Sequence, residues 1–167
     1  RRWTWAEFDA ATNQVANGLL QLGLAQGARV AVLMQNSAEM ALLLFGAGKA
    51  GVCVVPLNTS VSDAAVAAMV RDSGASAIAA SGEHCLRVDA LLAAGQLPGT
   101  SIKLGVDVPD AGHWTDLAPW LERQSAAAPA VRVDPANECN VIYSSGTTGL
   151  PKGIVHTHGC RYEWGTD

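Results

Sequence analysis

The sequence predicts an α/β domain: a mostly parallel sheet flanked by helices. Two observations point there. Short apolar, β-prone runs recur along the chain, at residues 30–34, 53–55, 77–80, 101–104 and 141–143. Between the first four lie stretches with helical hydrophobic spacing, bounded by helix start and stop residues. Strands joined by helices of this length require right-handed crossovers and a sheet covered on both faces.

In chain order, Thr4 and Glu7 form a capping box, with Thr at the N-cap and Glu at N3. Phe8, Ala11, Val15, Leu19 and Leu22 then recur at helical spacing as far as Gly23. The run 30–34 follows as a buried strand. Asn36, with Glu39 three residues on, is expected to cap a second helix that runs to about Ala50. The strand at 53–55 halts at Pro56, which has no N–H to give a central ladder. Ser62 caps a helix through Val66, Met69 and Val70, closed by Ser73-Gly74, and 77–80 is the third strand. A weaker helix over 83–94 ends at Gly95, and Pro98-Gly99 turns into the strand at 101–104.

From 105 to 140 the pattern loosens into an irregular connector. It holds one short helix over 114–124, with Trp114 and Trp120 packed as a lid over it, and a surface stretch at 125–129. Asp134-Pro135 then turns the chain toward the strand at 141–143. No internal repeat is present.

Composition narrows the function classes. A chain of 167 residues makes one domain that buries roughly 70% of its unfolded surface. Only 16% of residues are charged, against about 25% in a typical globular protein, so part of the surface is expected to be covered by more protein. A net charge of −4 leaves no basic footprint for nucleic acid. No run approaches the roughly 18 apolar residues of a membrane span; the stretch 40–48 ends at Lys49. The opening residues meet Glu7 and Asp9 too soon for a signal peptide. Cys53, Cys85, Cys139 and Cys160 show no C-x-x-C pairing and read as free thiols of a cytoplasmic protein.

The chemistry concentrates in Tyr143-Ser144-Ser145-Gly146-Thr147-Thr148-Gly149-Leu150-Pro151-Lys152-Gly153. Glycines let backbone N–H groups approach a ligand closely. Hydroxyls add donors and lysine a mobile charge, a set that suits a polyphosphate. A plain turn needs neither four hydroxyls nor a Pro-Lys-Gly ending. The Walker A pattern is excluded: counted from Gly146, its second glycine falls on Pro151, and the Ser/Thr required after Lys152 is Gly153. The β-branched run behind the loop also predicts a strand where Walker A needs a helix.

This segment resembles the signature loop of the adenylate-forming superfamily, which includes acyl-CoA synthetases, peptide-synthetase adenylation domains and luciferases. That loop reads roughly [YF]-[TS]-[ST]-G-[ST]-T-G-x-P-K-G, and residues 143–153 fit it throughout. Earlier segments are similar to the superfamily's as well, in the same order. They are Trp3 to Phe8, Gly27 to Val32 (with Ala28 where Asp is common), and Phe45 to Gly51 followed by Val54-Val55-Pro56-Leu57-Asn58.

The resemblance implies an acid–CoA ligase that joins a small-molecule carboxylic acid to ATP as an acyl-adenylate, then passes the acyl group to CoA. It implies that Ser144, Ser145, Gly146, Thr147, Thr148, Gly149 and Lys152 hold the ATP phosphates, that Lys152 is catalytic, and that Ser144 helps ligate Mg²⁺. It also implies that residues 1–167 are the opening part of a large N-terminal domain, with the adenine, ribose and glutamate motifs beyond Asp167. The fragment alone is then expected to be inactive and to self-associate. A peptide-synthetase adenylation domain and a non-catalytic, self-associating α/β fragment remain the alternatives.

Other polar residues are expected to be structural. His156 and His158 would share one face of a strand, with no third metal ligand nearby. Lys49 suits a helix C-terminus. His84 and His113 are placed in solvated loops.

Overall fold

The computed structural model describes residues 2–100, 102–108, 112–144 and 151–166. The elements are α1 (Trp5–Gln21), β1 (Arg29–Leu33), α2 (Ala38–Lys49), β2 (Cys53–Pro56), α3 (Asp63–Ser73), β3 (Ala77–Ser81) and α4 (Glu83–Ala93). They continue with β4 (Ile102–Val106), β5 (Thr115–Asp116), α5 (Leu117–Leu121), β6 (Glu138–Ser144), β7 (Lys152–Thr157) and α6 (His158–Thr166). The described strands form one seven-stranded sheet in the order β5-β4-β3-β1-β2-β6-β7. Every neighbouring pair is parallel except β6 and β7.

Alternation along the strands divides the core in two. Val30, Val32 and Val54 point to the face covered by α1, α2 and α5, where they meet Val15, Leu19, Leu43 and Leu117. Ala31, Leu33 and Val55 point to the other face and meet Val66, Met69, Val70, Val88 and Leu91 of α3 and α4. This is the two-sided covering that the helix–strand alternation predicts.

The α1 capping box is present: Thr4 N donates to Glu7 Oε2 at 2.7 Å and Glu7 N to Thr4 Oγ1 at 3.2 Å. α2 begins one residue later than expected. Its cap is Ser37, whose Oγ accepts from Met40 N at 3.1 Å, not Asn36. Asn36 and Ser37 are both competent caps, and propensity alone cannot choose between them. At the far end of α3, Gly74 sits at φ 62°, the left-handed conformation its place after Ser73 requires.

Three expectations for the later chain are corrected. The helix expected over 114–124 is confined to α5, because Thr115 and Asp116 instead add a short parallel strand to β4. Trp114 and Trp120 do not share a lid. Trp114 is buried with α3 and α4 and donates its indole N–H to Asp89 Oδ2 at 2.8 Å, whereas Trp120 is buried against α1 on the opposite face. His84 is not solvated, because α4 begins at Glu83 and carries it into the buried side of its first turn. The connector 125–127 is held down as well. Asn13 Nδ2 reaches Ala126 O at 3.0 Å, and Asn17 Nδ2 reaches Ser125 O at 2.8 Å and Ala127 O at 2.9 Å.

Candidate functional site

The signature segment lies on the β6–β7 hairpin. β6 is parallel to β2, so Ser144, its last residue, stands at the carboxyl edge of the parallel strands. That edge is where open α/β sheets bind ligands. Tyr143 pairs with Gly153 and Ser144 with Lys152, and the loop closes between those last two. Ser144 and Lys152 are both exposed. Ser145, Gly146, Thr147, Thr148 and Gly149 lie outside the described residues.

Each foot of the hairpin is fixed from below. Arg29 on β1 grips Glu138 at the start of β6, with Nε to Oε2 and Nη2 to Oε1 each at 2.8 Å. The same guanidinium donates to Ser73 O at the end of α3 at 2.8 Å. The Arg29 contact holds the Glu138 carboxyl below the usual range, although burial opposes it. Tyr143 donates its hydroxyl to Asp72 Oδ2 at 2.6 Å and lies 3.2 Å from Met69 O, both on α3. Burial, then the Asp72 carboxylate, push the Tyr143 phenol well above its ordinary value, so it stays protonated and donating. Its ring covers Gly153: a Cβ there would meet Val141 Cγ1 at 3.0 Å and Tyr143 Cζ at 3.2 Å. A side chain at Gly153 would therefore crowd both neighbours.

The histidines flanking the loop do not share a strand face. His156 is on β7 and packs edge-on against Trp164 at 5.2 Å, while His158 opens α6, where burial lowers its pKa. Among the described residues no group of three His, Cys, Asp or Glu side chains could hold a metal ion. The buried Asn140 accepts from Arg161 Nε at 2.9 Å and so ties α6 to β6. Lys49 ends α2, as its sequence position suggests, and binds Asp9 Oδ1 at 2.6 Å and Asn13 Oδ1 at 2.7 Å on α1.

With this sheet and the paired ends of the signature segment at its carboxyl edge, the chain matches the family of AMP-binding enzymes over residues 1–162. The chain belongs to that family. A long-chain-fatty-acid–CoA ligase of Mycobacterium tuberculosis is 38% identical over 158 residues, covering 94% of this chain and 30% of the ligase. Surfactin synthase subunit 2 of Bacillus subtilis is 31% identical over 156 residues, covering 93% of this chain and 4% of that protein. The solved structure of a Mycobacterium tuberculosis fatty acyl CoA synthetase superposes with a TM-score of 0.83 at 35% identity, covering 95% of this chain and 30% of that one. The chain thus spans under a third of the ligase's length.

The sequence singles out the segment 143–153 but not the contacts that anchor its two ends. Asp72 lies 71 residues before Tyr143, and Glu138 lies 109 after Arg29. Neither pair carries a local signal.

Proposed function

We propose that these residues are the opening part of the N-terminal domain of an AMP-forming acid–CoA ligase. A carboxylate oxygen attacks the α-phosphorus of ATP, pyrophosphate leaves, and an acyl-adenylate forms. The thiol of CoA then attacks the acyl carbonyl and AMP leaves. One observation carries the reading: the ends of the eleven-residue signature 143–153 pair at the carboxyl edge, Tyr143 with Gly153 and Ser144 with Lys152.

In this reading the backbone N–H groups and hydroxyls of Ser145, Gly146, Thr147, Thr148 and Gly149 grip the β- and γ-phosphates. The Lys152 ammonium offsets charge that shifts onto the departing pyrophosphate. Both are positioning and electrostatic effects, which dominate phosphoryl chemistry. Ser144 fits Mg²⁺ as one hard oxygen donor at an exposed strand end, with the remaining ligands supplied from elsewhere. Mg²⁺, when bound, neutralises phosphate charge. Four free cysteines, and no membrane-crossing helix among the described residues, support a cytoplasmic location.

The surfactin synthase likeness keeps a second reading open, an adenylation domain that loads a carrier-protein thiol. The test is pyrophosphate exchange by the complete gene product with ATP, Mg²⁺ and a panel of carboxylic and amino acids, followed by addition of CoA. Acid-dependent exchange and CoA-dependent AMP release are expected. Exchange with amino acids and no response to CoA would favour the second reading, and no exchange at all would overturn both.

A further inference from the structure

We infer that Tyr143 is a positioning residue for adenylation, fixing the Ser144–Lys152 pair by tying the hairpin to the last turn of α3. The inference rests on the phosphate-binding reading of that pair. Tyr143 and Gly153 form the register pair directly beneath Ser144 and Lys152, so whatever fixes the lower pair aims the upper one.

The Tyr143 ring and hydroxyl act separately. The ring lies over Gly153, where a Cβ would come within 3.2 Å of Tyr143 Cζ. The hydroxyl reaches off the sheet to Asp72 Oδ2 at 2.6 Å, a short charge-assisted bond, with Met69 O alongside at 3.2 Å. That turn of α3 is itself held, since Arg29 donates to Ser73 O while gripping Glu138 at the root of β6. The hairpin is therefore joined to β1 at the start of β6 and to α3 at its end. Toward the other side β6 has only β7, the last strand of the described sheet. Without the hydroxyl tether, the upper half of the hairpin keeps its ladder and its apolar packing but loses its hydrogen bond to α3.

The test uses the complete gene product and compares Tyr143→Phe, Asp72→Ala, Asp72→Asn, the Tyr143→Phe/Asp72→Ala double variant and Lys152→Ala by pyrophosphate exchange and thermal unfolding. Tyr143→Phe is expected to lower kcat/KM for ATP about tenfold, leaving KM for the carboxylate in place. Asp72→Ala should match it, the double variant should be no worse than either single one, and Asp72→Asn, which keeps an oxygen acceptor, should restore most of the loss. If Tyr143→Phe fails to fold, the two Asp72 variants carry the same comparison.

A Tyr143→Phe enzyme with a lowered melting temperature but unchanged kinetics would reduce the tether to a structural role and overturn the inference. So would additive losses in the double variant. Lys152→Ala separates the levels: if it is impaired while Tyr143→Phe is normal, the tether alone fails. If Lys152→Ala is itself normal, the phosphate reading fails and takes this inference with it.

Discussion

Arg29 and Glu138 meet through two parallel N–H···O bonds of 2.8 Å across the β1–β6 side of the sheet. β2 lies between those two strands, so the pair spans it near its beginning, where Arg29 is in register with Cys53.

The Arg29–Glu138 pair gives the fold a defined acid response. The folded pKa of Glu138 is depressed from 4.5 by Arg29, so its contribution is complete above that value and is lost as pH falls through the lowered one. Because both side chains are about a third exposed, Glu138→Gln is expected to cost only about 1 kcal/mol near neutral pH. The difference from the parent should vanish in acid, once the parent's own carboxyl is protonated. Urea midpoints across an acid-to-neutral series check this, and a difference constant with pH would rule out the ion pair as its source.

Two glycines of α2 should respond oppositely to alanine. At Gly46 a Cβ would overlap the Val15 side chain and come within 2.8 Å of Thr12 O, where α1 and α2 cross. Backbone cannot yield cheaply, so Gly46→Ala is expected to destabilise by roughly 1–3 kcal/mol despite the helix propensity it gains. At Gly48 the nearest atom is His158 Cε1 at 3.4 Å, an ordinary contact. Gly48→Ala should therefore be neutral or stabilising by up to about 1 kcal/mol. Denaturant unfolding of both variants decides the matter.

These contacts show what the sequence could and could not disclose. The alternation of Val30, Ala31, Val32 and Leu33, the Thr4–Glu7 cap and the stop at Gly74 are local, and each element they predict is present. The 143–153 signature is local too, because its eleven residues are consecutive. The misreadings arose where distant partners decide. Trp114 and Trp120 are six positions apart, yet the short β5 strand between them sends one to each face of the sheet. His84, expected in a solvated loop, is buried in the first turn of α4. Asn13 and Asn17, unremarkable on an amphipathic helix, hold a connector more than 100 residues away.

Thiol reactivity should follow burial. Burial pushes Cys53 up to about 12 and Cys85 up to about 11, and both are shielded by the core. Cys139 and Cys160 are only partly covered, and burial raises Cys139. Brief alkylation of the native chain at neutral pH is therefore expected to label Cys160 first, then Cys139, and to spare Cys53 and Cys85 until unfolding. Peptide mass mapping reads the order, and early labelling of Cys53 would contradict the packing around β2.

The catalytic role proposed for Lys152 makes a direct prediction. In the complete gene product, Lys152→Ala should remove one charge-assisted contact to the phosphates as charge shifts. The expected loss is on the order of 3 kcal/mol, or about a hundredfold in rate. Steady-state pyrophosphate exchange at varied ATP is the measurement. An unchanged kcat/KM for ATP would mean that the ammonium points elsewhere.

The 167-residue chain by itself should make no acyl-adenylate and should self-associate. β7 is the last strand of the described sheet, and Ile154 and Val155 on it are 49% and 46% exposed. Beside it α6 presents Tyr162 and Trp164, at 73% and 62% exposure, and Trp5 and Phe45 add an aromatic rim to a groove between α1, α2 and α6. An open strand edge invites pairing with another chain, and contiguous apolar patches beyond a few hundred Å² are rare on monomers. With 16% charged residues, little on this surface blunts either tendency. Light scattering over a concentration series should show mass rising with concentration. Ile154→Lys or Val155→Lys, which put a charge on the edge strand, should lower that mass without lowering the melting temperature. A species that stays monomeric at high concentration and binds no apolar dye would show that α6 and β7 already close the domain.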